Sequence, residues 1–274
     1  MSLLPNQIVY PTFKDAQQLY AQYSTIQSVS VLYNTLLKTI DSSFLSTMKE
    51  KSVHEIYNKI ILNYYPNEIC IKSSFIKQIL MIGKKHVTIF ELPVGSSRAD
   101  LCKINGESIA YEIKTDLDNF ARLQKQVNDY YKIFEKVFII CSESNVNNVL
   151  NLVPEECGIY CYKQNRQKNY KFTLIREASR KNEINPLNQL KLIRKNELYT
   201  YFSIDSSLHK QSDMINNVIQ NYTTDTINET FKIILKHRFE KQWLFLKQNQ
   251  RNIFEIDYQW FYKNQIEPSR IYKQ

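Results

Sequence analysis

Asp100, Glu112 and Lys114 stand in one short stretch, RADLCKINGESIAYEIKT from Arg98 to Thr115, which combines an aspartate, a turn signal and a Glu-x-Lys triplet. Residues two apart on a strand share a face, so a strand from Ser108 to Lys114 presents Glu112 and Lys114 together while Tyr111 and Ile113 face the other way. The apolar flank of Ile109, Ala110, Tyr111 and Ile113 implies that this strand is mostly buried, where an unpartnered carboxylate or ammonium is costly. Two carboxylates at cross-strand distance, about 4.5 to 5.5 Å between Cβ atoms, repel each other unless a cation sits between them, and hard oxygen ligands suit Mg²⁺ or Mn²⁺. The plainer alternative is a structural ion pair between Glu112 and Lys114 that binds no metal.

Whether Asp100 joins the pair depends on strand register. Arg98 to Ile104 also reads as a strand, and Asn105-Gly106 is a hairpin turn signal, so the two runs should pair antiparallel. A two-residue loop sets Asp100 opposite Tyr111 and leaves the carboxylates on opposite faces. A three-residue loop, Asn105-Gly106-Glu107, pairs Ile104 with Ser108, Cys102 with Ala110 and Asp100 with Glu112. The second register is the one expected here.

Downstream, Phe120, Leu123, Val127, Tyr131 and Phe134 recur at helical spacing behind Asp/Asn capping candidates, so an amphipathic helix should lie on the sheet. Arg122, Gln126 and Tyr130 step by four along it and form one ridge beside the apolar stripe. That ridge either faces the cleft, with Gln126 and Tyr130 donating to a phosphate or orienting Lys114, or leaves Tyr130 in the core and Gln126 in solvent. Lys136 to Cys141 reads as a strand, and Ile159 to Tyr162 with Tyr170 to Ile175 as a further hairpin. A helix near Val53 to Tyr65 precedes all of these elements.

Asp100, a hairpin, and Glu112-Ile113-Lys114 together resemble the signature of the PD-(D/E)XK metal-dependent nucleases. Glu91 to Leu101 (ELPVGSSRADL) is similar to the strand-loop-strand entry of a bacterial branch that includes MmcB-type repair proteins and phage and mobile-element proteins. Gln126-Val-Asn-Asp-Tyr130 is similar to the Q-x-x-x-Y helix of RecB-type nucleases. The proline of the superfamily name is absent, since Ala99 precedes Asp100. The resemblance covers residues 51 to 178 and leaves the C-terminal third unexplained.

The resemblance implies an α/β fold with a restriction-endonuclease-like core, a mixed central sheet flanked by helices, here carrying helical N-terminal and C-terminal extensions. It implies phosphodiester hydrolysis, with Asp100, Glu112 and the Ile113 carbonyl around Mg²⁺ or Mn²⁺ and Lys114 orienting or activating water. Gln126 and Tyr130 complete the expected catalytic set. Glu55 and Glu91 compete for the role of an additional acidic ligand. The expected partner is nucleic acid, DNA ahead of RNA, in repair, restriction or defence against mobile elements. Non-catalytic nucleic-acid binding, or an inhibitor or immunity role on the same scaffold, is the alternative.

A net charge of +9 agrees with a polyanionic partner. Lys163, Arg166, Lys168, Lys171, Arg176, Arg180 and Lys181 are opposed only by Glu177 between residues 163 and 182, forming either a phosphate-tracking patch or a solvated loop tip. Arg98, Arg122, Lys163, Arg166, Lys168 and Lys171 are the expected nucleic-acid contacts. Only 4 Gly and 7 Pro leave no low-complexity linker, and 43% hydrophobic residues allow a proper core. The 5 cysteines, odd in number and without a Cys-x-x-Cys pair, point to a reducing cytoplasm and away from zinc or an iron-sulfur cluster. No signal peptide or membrane span is visible. The expected segments are a helical extension over 1–50, a nuclease-like domain over 51–182, and a mainly helical region over 186–274. Helices are expected at Asp15 to Tyr23, Ser28 to Ile40, Asn188 to Phe202 and Thr226 to Asn249; the C-terminal ones are candidates for a homodimer contact.

Overall fold

The structure, a computed structural model, describes residues 7–83, 85–180, 184–205 and 207–272. The chain opens with helices α1 (Phe13–Ala21), α2 (Val29–Thr39), α3 (Ser42–Ser46), α4 (Val53–Tyr64) and α5 (Glu68–Phe75), the last running into a π-helical turn at Ile76–Leu80. Side-chain caps start several of them. Thr12 and Asp15 form a reciprocal capping box on α1, Ser52 Oγ accepts from Glu55 N–H on α4, and Asn67 Oδ1 accepts from Cys70 N–H on α5.

Strands β1 (Val87–Val94), β2 (Ser97–Asn105) and β3 (Glu107–Lys114) follow, then α6 (Leu123–Tyr131), β4 (Lys136–Ser142), α7 (Val146–Leu152), β5 (Gly158–Gln164) and β6 (Tyr170–Arg176). They form a six-stranded sheet in the order β1-β2-β3-β4-β5-β6. Strands β1 to β3 pair antiparallel through short turns, whereas β3, β4 and β5 run parallel, with α6 and α7 as the crossovers. Apart from half-buried Lys136, every residue of β4 is buried, as expected for a parallel strand covered on both faces. The architecture is therefore mixed α/β, a mixed sheet flanked by helices.

The C-terminal third forms α8 (Pro186–Lys191), α9 (Lys195–Phe202), α10 (Gln211–Asn221), α11 (Thr224–Asn249), α12 (Tyr258–Asn264) and α13 (Pro268–Ile271). The single helix expected over Asn188 to Phe202 is broken. Arg238 Nη2 donates to the Leu192 carbonyl at 3.1 Å, and Arg194 N–H donates to Glu197 at 2.8 Å, so one helix is capped and another begins within three residues. No helix among the described residues is long and apolar enough to cross a membrane.

Two compact units emerge, and their boundaries differ from the three consecutive segments read in the sequence. The first comprises Met1–Met81, Gln164–Lys171 and Phe245–Gln274; the second comprises Ile82–Lys163 and Phe172–Leu244. Residues 51–81 thus group with both chain ends. The cause lies in two buried polar clusters. Asp257 accepts from Tyr23 Oη at 2.9 Å, Thr25 Oγ1 at 2.7 Å and Tyr272 Oη at 2.8 Å, and Asn58 donates to Glu255 at 2.6 Å and accepts from Ile256 N–H at 3.2 Å.

In the second unit an aromatic row crosses the sheet. Tyr111 stacks on Phe138 at 5.5 Å with 17° between the rings, and Phe138 meets Tyr160 at 5.3 Å. Gly158 lies opposite Phe138 in the β4–β5 register. A Cβ at Gly158 would sit 2.2 Å from the Phe138 ring and 2.9 Å from Ala178 Cβ, so the position requires glycine for space. Gly158→Ala is expected to lower the urea midpoint through overpacking, at a cost of about 1–3 kcal/mol.

Candidate functional site

The β2–β3 register pairs Cys102 with Ala110, Ile104 with Ser108 and Asn105 with Glu107, leaving Gly106 alone at the tip with φ +72°. The longer hairpin connection is the one adopted. Continued one residue beyond Leu101↔Tyr111, this register sets Asp100 opposite Glu112. Between Phe90↔Leu101 and Leu92↔Ala99, the β1–β2 register likewise sets Glu91 opposite Asp100. Glu91, Asp100 and Glu112 thus share one row across three strands, and carboxylate oxygens of Glu91 and Asp100 lie within 4.8 Å of each other. Glu91 has φ +54°, a left-handed conformation that a non-glycine residue adopts at a cost of order 1–3 kcal/mol. Its carboxylate is bound by Arg98 Nε at 2.6 Å.

Glu112 is 2% exposed, and both of its oxygens are engaged. Oε1 accepts from Lys114 Nζ at 2.8 Å and from Gln126 Nε2 at 2.5 Å, and Oε2 accepts from Tyr130 Oη at 2.5 Å. Tyr130 Oη also lies 2.8 Å from the Arg98 carbonyl, but one hydroxyl proton serves one acceptor at a time, and the carboxylate is the stronger. Asp100 Oδ2 accepts from Ile113 N–H at 2.7 Å, which ties this carboxylate to the backbone of β3. Burial pushes the Glu112 carboxyl above its ordinary range, against the opposing pull of Lys114, Tyr130 and Gln126. Burial and the Glu112 charge raise the Tyr130 phenol far above its ordinary value, so it remains a donor.

Gln126 and Tyr130 converge as the ridge on α6 requires, yet both donate to Glu112 rather than to Lys114. The Glu112–Lys114 ion pair forms as well. Ile113 contributes its N–H to the cluster. Helix α6 is pinned over the row by a contact with no local signature in sequence: Ser97 Oγ, at the start of β2, donates to Asp129 at 2.7 Å across 32 positions, and Lys125 pairs with the same carboxylate at 2.7 Å. Glu55 belongs to the first unit, where it pairs with Lys51, whereas Glu91 stands beside Asp100.

The basic residues divide between the units. Arg98 and Arg122 are exposed in the second, and Lys163 there pairs with Glu143 at 2.7 Å. Arg176 caps the Cys157 and Pro154 carbonyls, and Arg180 reaches Glu135 at 3.2 Å. Arg166 and Lys171 are exposed in the first unit, where Lys168 lies over the Tyr64 ring at 5.5 Å. Lys181 lies outside the described residues. The single dense patch read in sequence is therefore partly committed to internal contacts.

Fold and site together define a mixed α/β protein with a row of acidic side chains on its antiparallel strands, one of them saturated by lysine, glutamine and tyrosine donors. Residues 62–259 match the family of bacteriophage P4 protein cII, and the chain belongs to that family. Protein cII of Enterobacteria phage P4 is 27% identical over 147 residues, 53% of this chain and 55% of that protein, so the alignment spans about half the length of this relative. A Silicibacter pomeroyi protein of unknown function aligns structurally with 92% of its own chain and 51% of this one, at 18% identity and a TM-score of 0.34.

Tyr130→Phe leaves a buried Glu112 oxygen short of a donor, which should cost about 1–3 kcal/mol in urea denaturation near neutrality. The folded-state pKa of Glu112 already lies above its unfolded value, and losing a donor raises it further. The destabilisation should therefore be largest near neutrality and shrink as pH falls through the raised folded-state value of Glu112, below which the folded carboxyl is protonated with or without the phenol.

Proposed function

We propose that this chain is a Mg²⁺- or Mn²⁺-dependent nuclease with a restriction-endonuclease-like core, hydrolysing phosphodiester bonds in DNA ahead of RNA. The observation that carries the reading is the register that sets Asp100 opposite Glu112 with Lys114 bound to the second carboxylate. These residues fill the three signature positions of the PD-(D/E)XK superfamily, and Gln126 with Tyr130 follows on the next helix. The likeness to a phage protein supports a role on phage or mobile-element nucleic acid.

Glu91 and Asp100 offer carboxylate oxygens within 4.8 Å of each other, and Glu112, opposite Asp100 in the register, would add a third; such oxygens fit a hard divalent cation better than a softer metal. When bound, such a cation polarises a phosphoryl oxygen and lowers the pKa of water. The protein's own contribution is positional. Ile113 N–H orients Asp100, Gln126 and Tyr130 orient Glu112, and Lys114 brings a positive charge beside the attacking water. Exposed Arg98 and Arg122 supply phosphate contacts.

A second reading rests on the closure of the Glu112 network. Its oxygens accept protein donors, Asp100 and Lys114 are only 8% and 9% exposed, and Lys114 neutralises the buried charge without a metal. On this reading the scaffold serves non-catalytic nucleic-acid binding, or inhibition or immunity through a protein partner.

The test incubates wild type and Lys114→Ala with labelled single-stranded DNA, duplex DNA and RNA, each with Mg²⁺, Mn²⁺ or EDTA. Nuclease function is expected to give cleavage by wild type that EDTA abolishes and that falls about 10²- to 10⁴-fold in the variant. Binding without cleavage by both proteins would move the second reading ahead.

A further inference from the structure

We infer that Lys232, on α11, is a positioning residue that sets the register of the β2–β3 hairpin and so decides whether Asp100 faces Glu112. The consequence for metal binding rests on the nuclease reading above; the consequence for register does not.

The hairpin does not determine its own register. Asn-Gly is the preferred centre of a two-residue hairpin turn, and that turn would pair Ile104 with Glu107 and Asp100 with Tyr111. Burial does not discriminate either. Residues Ala99 to Cys102 of β2 and Ala110 to Lys114 of β3 are buried in unbroken runs, so neither strand has a polar face that a one-residue slip would misplace. The observed register, with Gly106 alone at the tip, therefore needs an outside support.

That support converges on Glu135, which is 1% exposed at the start of β4. Its Oε2 accepts from Ser108 N–H at 2.7 Å, and its own N–H donates to the Ser108 carbonyl at 3.0 Å, anchoring the first turn of β3. Lys232, 5% exposed, donates to Glu135 Oε1 at 3.2 Å and Oε2 at 3.4 Å, to Glu229 at 2.7 Å and to the Gly106 carbonyl at 2.6 Å. Asn228, one helical turn before it, donates to Glu135 at 3.0 Å and accepts from Gln189 at 2.8 Å. Arg180 reaches Glu135 at 3.2 Å, so two cations balance the two carboxylates.

Gly106 and Ser108 are thus held on either side of Glu107, and a slip to the two-residue turn would carry the Gly106 carbonyl off the ammonium. Burying a lysine gains little net stability, because desolvation offsets the Coulombic attraction; fixing register is the best attested use of such groups. Here the ammonium binds the carbonyl at the tip of the turn, where the two registers differ in the number of loop residues.

The test uses the full-length protein, isotopically labelled, as wild type, Lys232→Met and Lys232→Arg. Cross-strand amide NOEs report the register, with Cys102 facing Ala110 in the observed pairing and Ile109 in the slipped one. Calorimetric titration with Mn²⁺ reports the acidic row. Lys232→Met is expected to lose the Cys102–Ala110 contact in part or all of the population and to weaken Mn²⁺ binding about 10- to 100-fold, as lost outer-shell support does. Lys232→Arg should keep both. A folded Lys232→Met with wild-type NOEs alone would overturn the proposal and reduce Lys232 to a stabilising contact. If the methionine variant does not fold, Lys232→Gln, a shorter neutral donor, is judged by the same NOEs. Slipped register in a variant of a wild type that itself binds no Mn²⁺ would sustain the clamp and sink the metal-dependent nuclease.

Discussion

A carboxylate cannot remain charged in a protein interior unless donors replace the water it has lost, and at Glu112 this requirement shapes the surrounding fold. Lys114 comes from the same strand, two residues on, because the pleat sets both on one face. Gln126 and Tyr130 come from α6, one turn apart. Helix α6 must therefore lie at one height over β3, and its pinning through Asp129 to Ser97 at the start of β2 serves that need. The antiparallel entry, the hairpin and the first crossover helix are all tied to one side chain.

The first unit meets a similar demand by other means. Asp257 is as buried as Glu112, yet it accepts from the hydroxyls of Tyr23, Thr25 and Tyr272. Burial raises its pKa, and the hydroxyl donors oppose the rise. These donors come from opposite ends of the chain, so this cluster closes the fold in sequence space. A carboxylate served by hydroxyls from both chain ends is a clasp; one served by an ammonium, an amide and a phenol fixes a strand to its neighbouring helix.

Much of this is legible in the sequence. Alternation around Glu112, the Asn105-Gly106 signal and the four-residue step from Gln126 to Tyr130 are local patterns, and each corresponds to a local element. The expected pairing of Cys102 with Ala110 is present, although local turn preference alone favours the slipped register. What escaped the sequence is uniformly long-range. The grouping of residues 51–81 with the C-terminus depends on Asn58 meeting Glu255 across 197 positions, and the break between α8 and α9 depends on Arg238. Neither side chain differs in local context from a solvated one. The basic run after Lys163 left two readings open for the same reason, since nothing nearby reveals that Arg176 caps the Cys157 and Pro154 carbonyls or that Arg180, though exposed, reaches Glu135.

The distance between Lys232 and Gly106 also has a meaning in time. A hairpin closes in about 1–10 μs once its strands are free, whereas a ribosome adds roughly 5–20 residues per second. The 126 positions between the turn and the lysine therefore represent on the order of ten seconds of synthesis. For that interval the nascent Asn-Gly turn follows its own preference, and the pairing of the two carboxylates is settled only when most of the protein has been made.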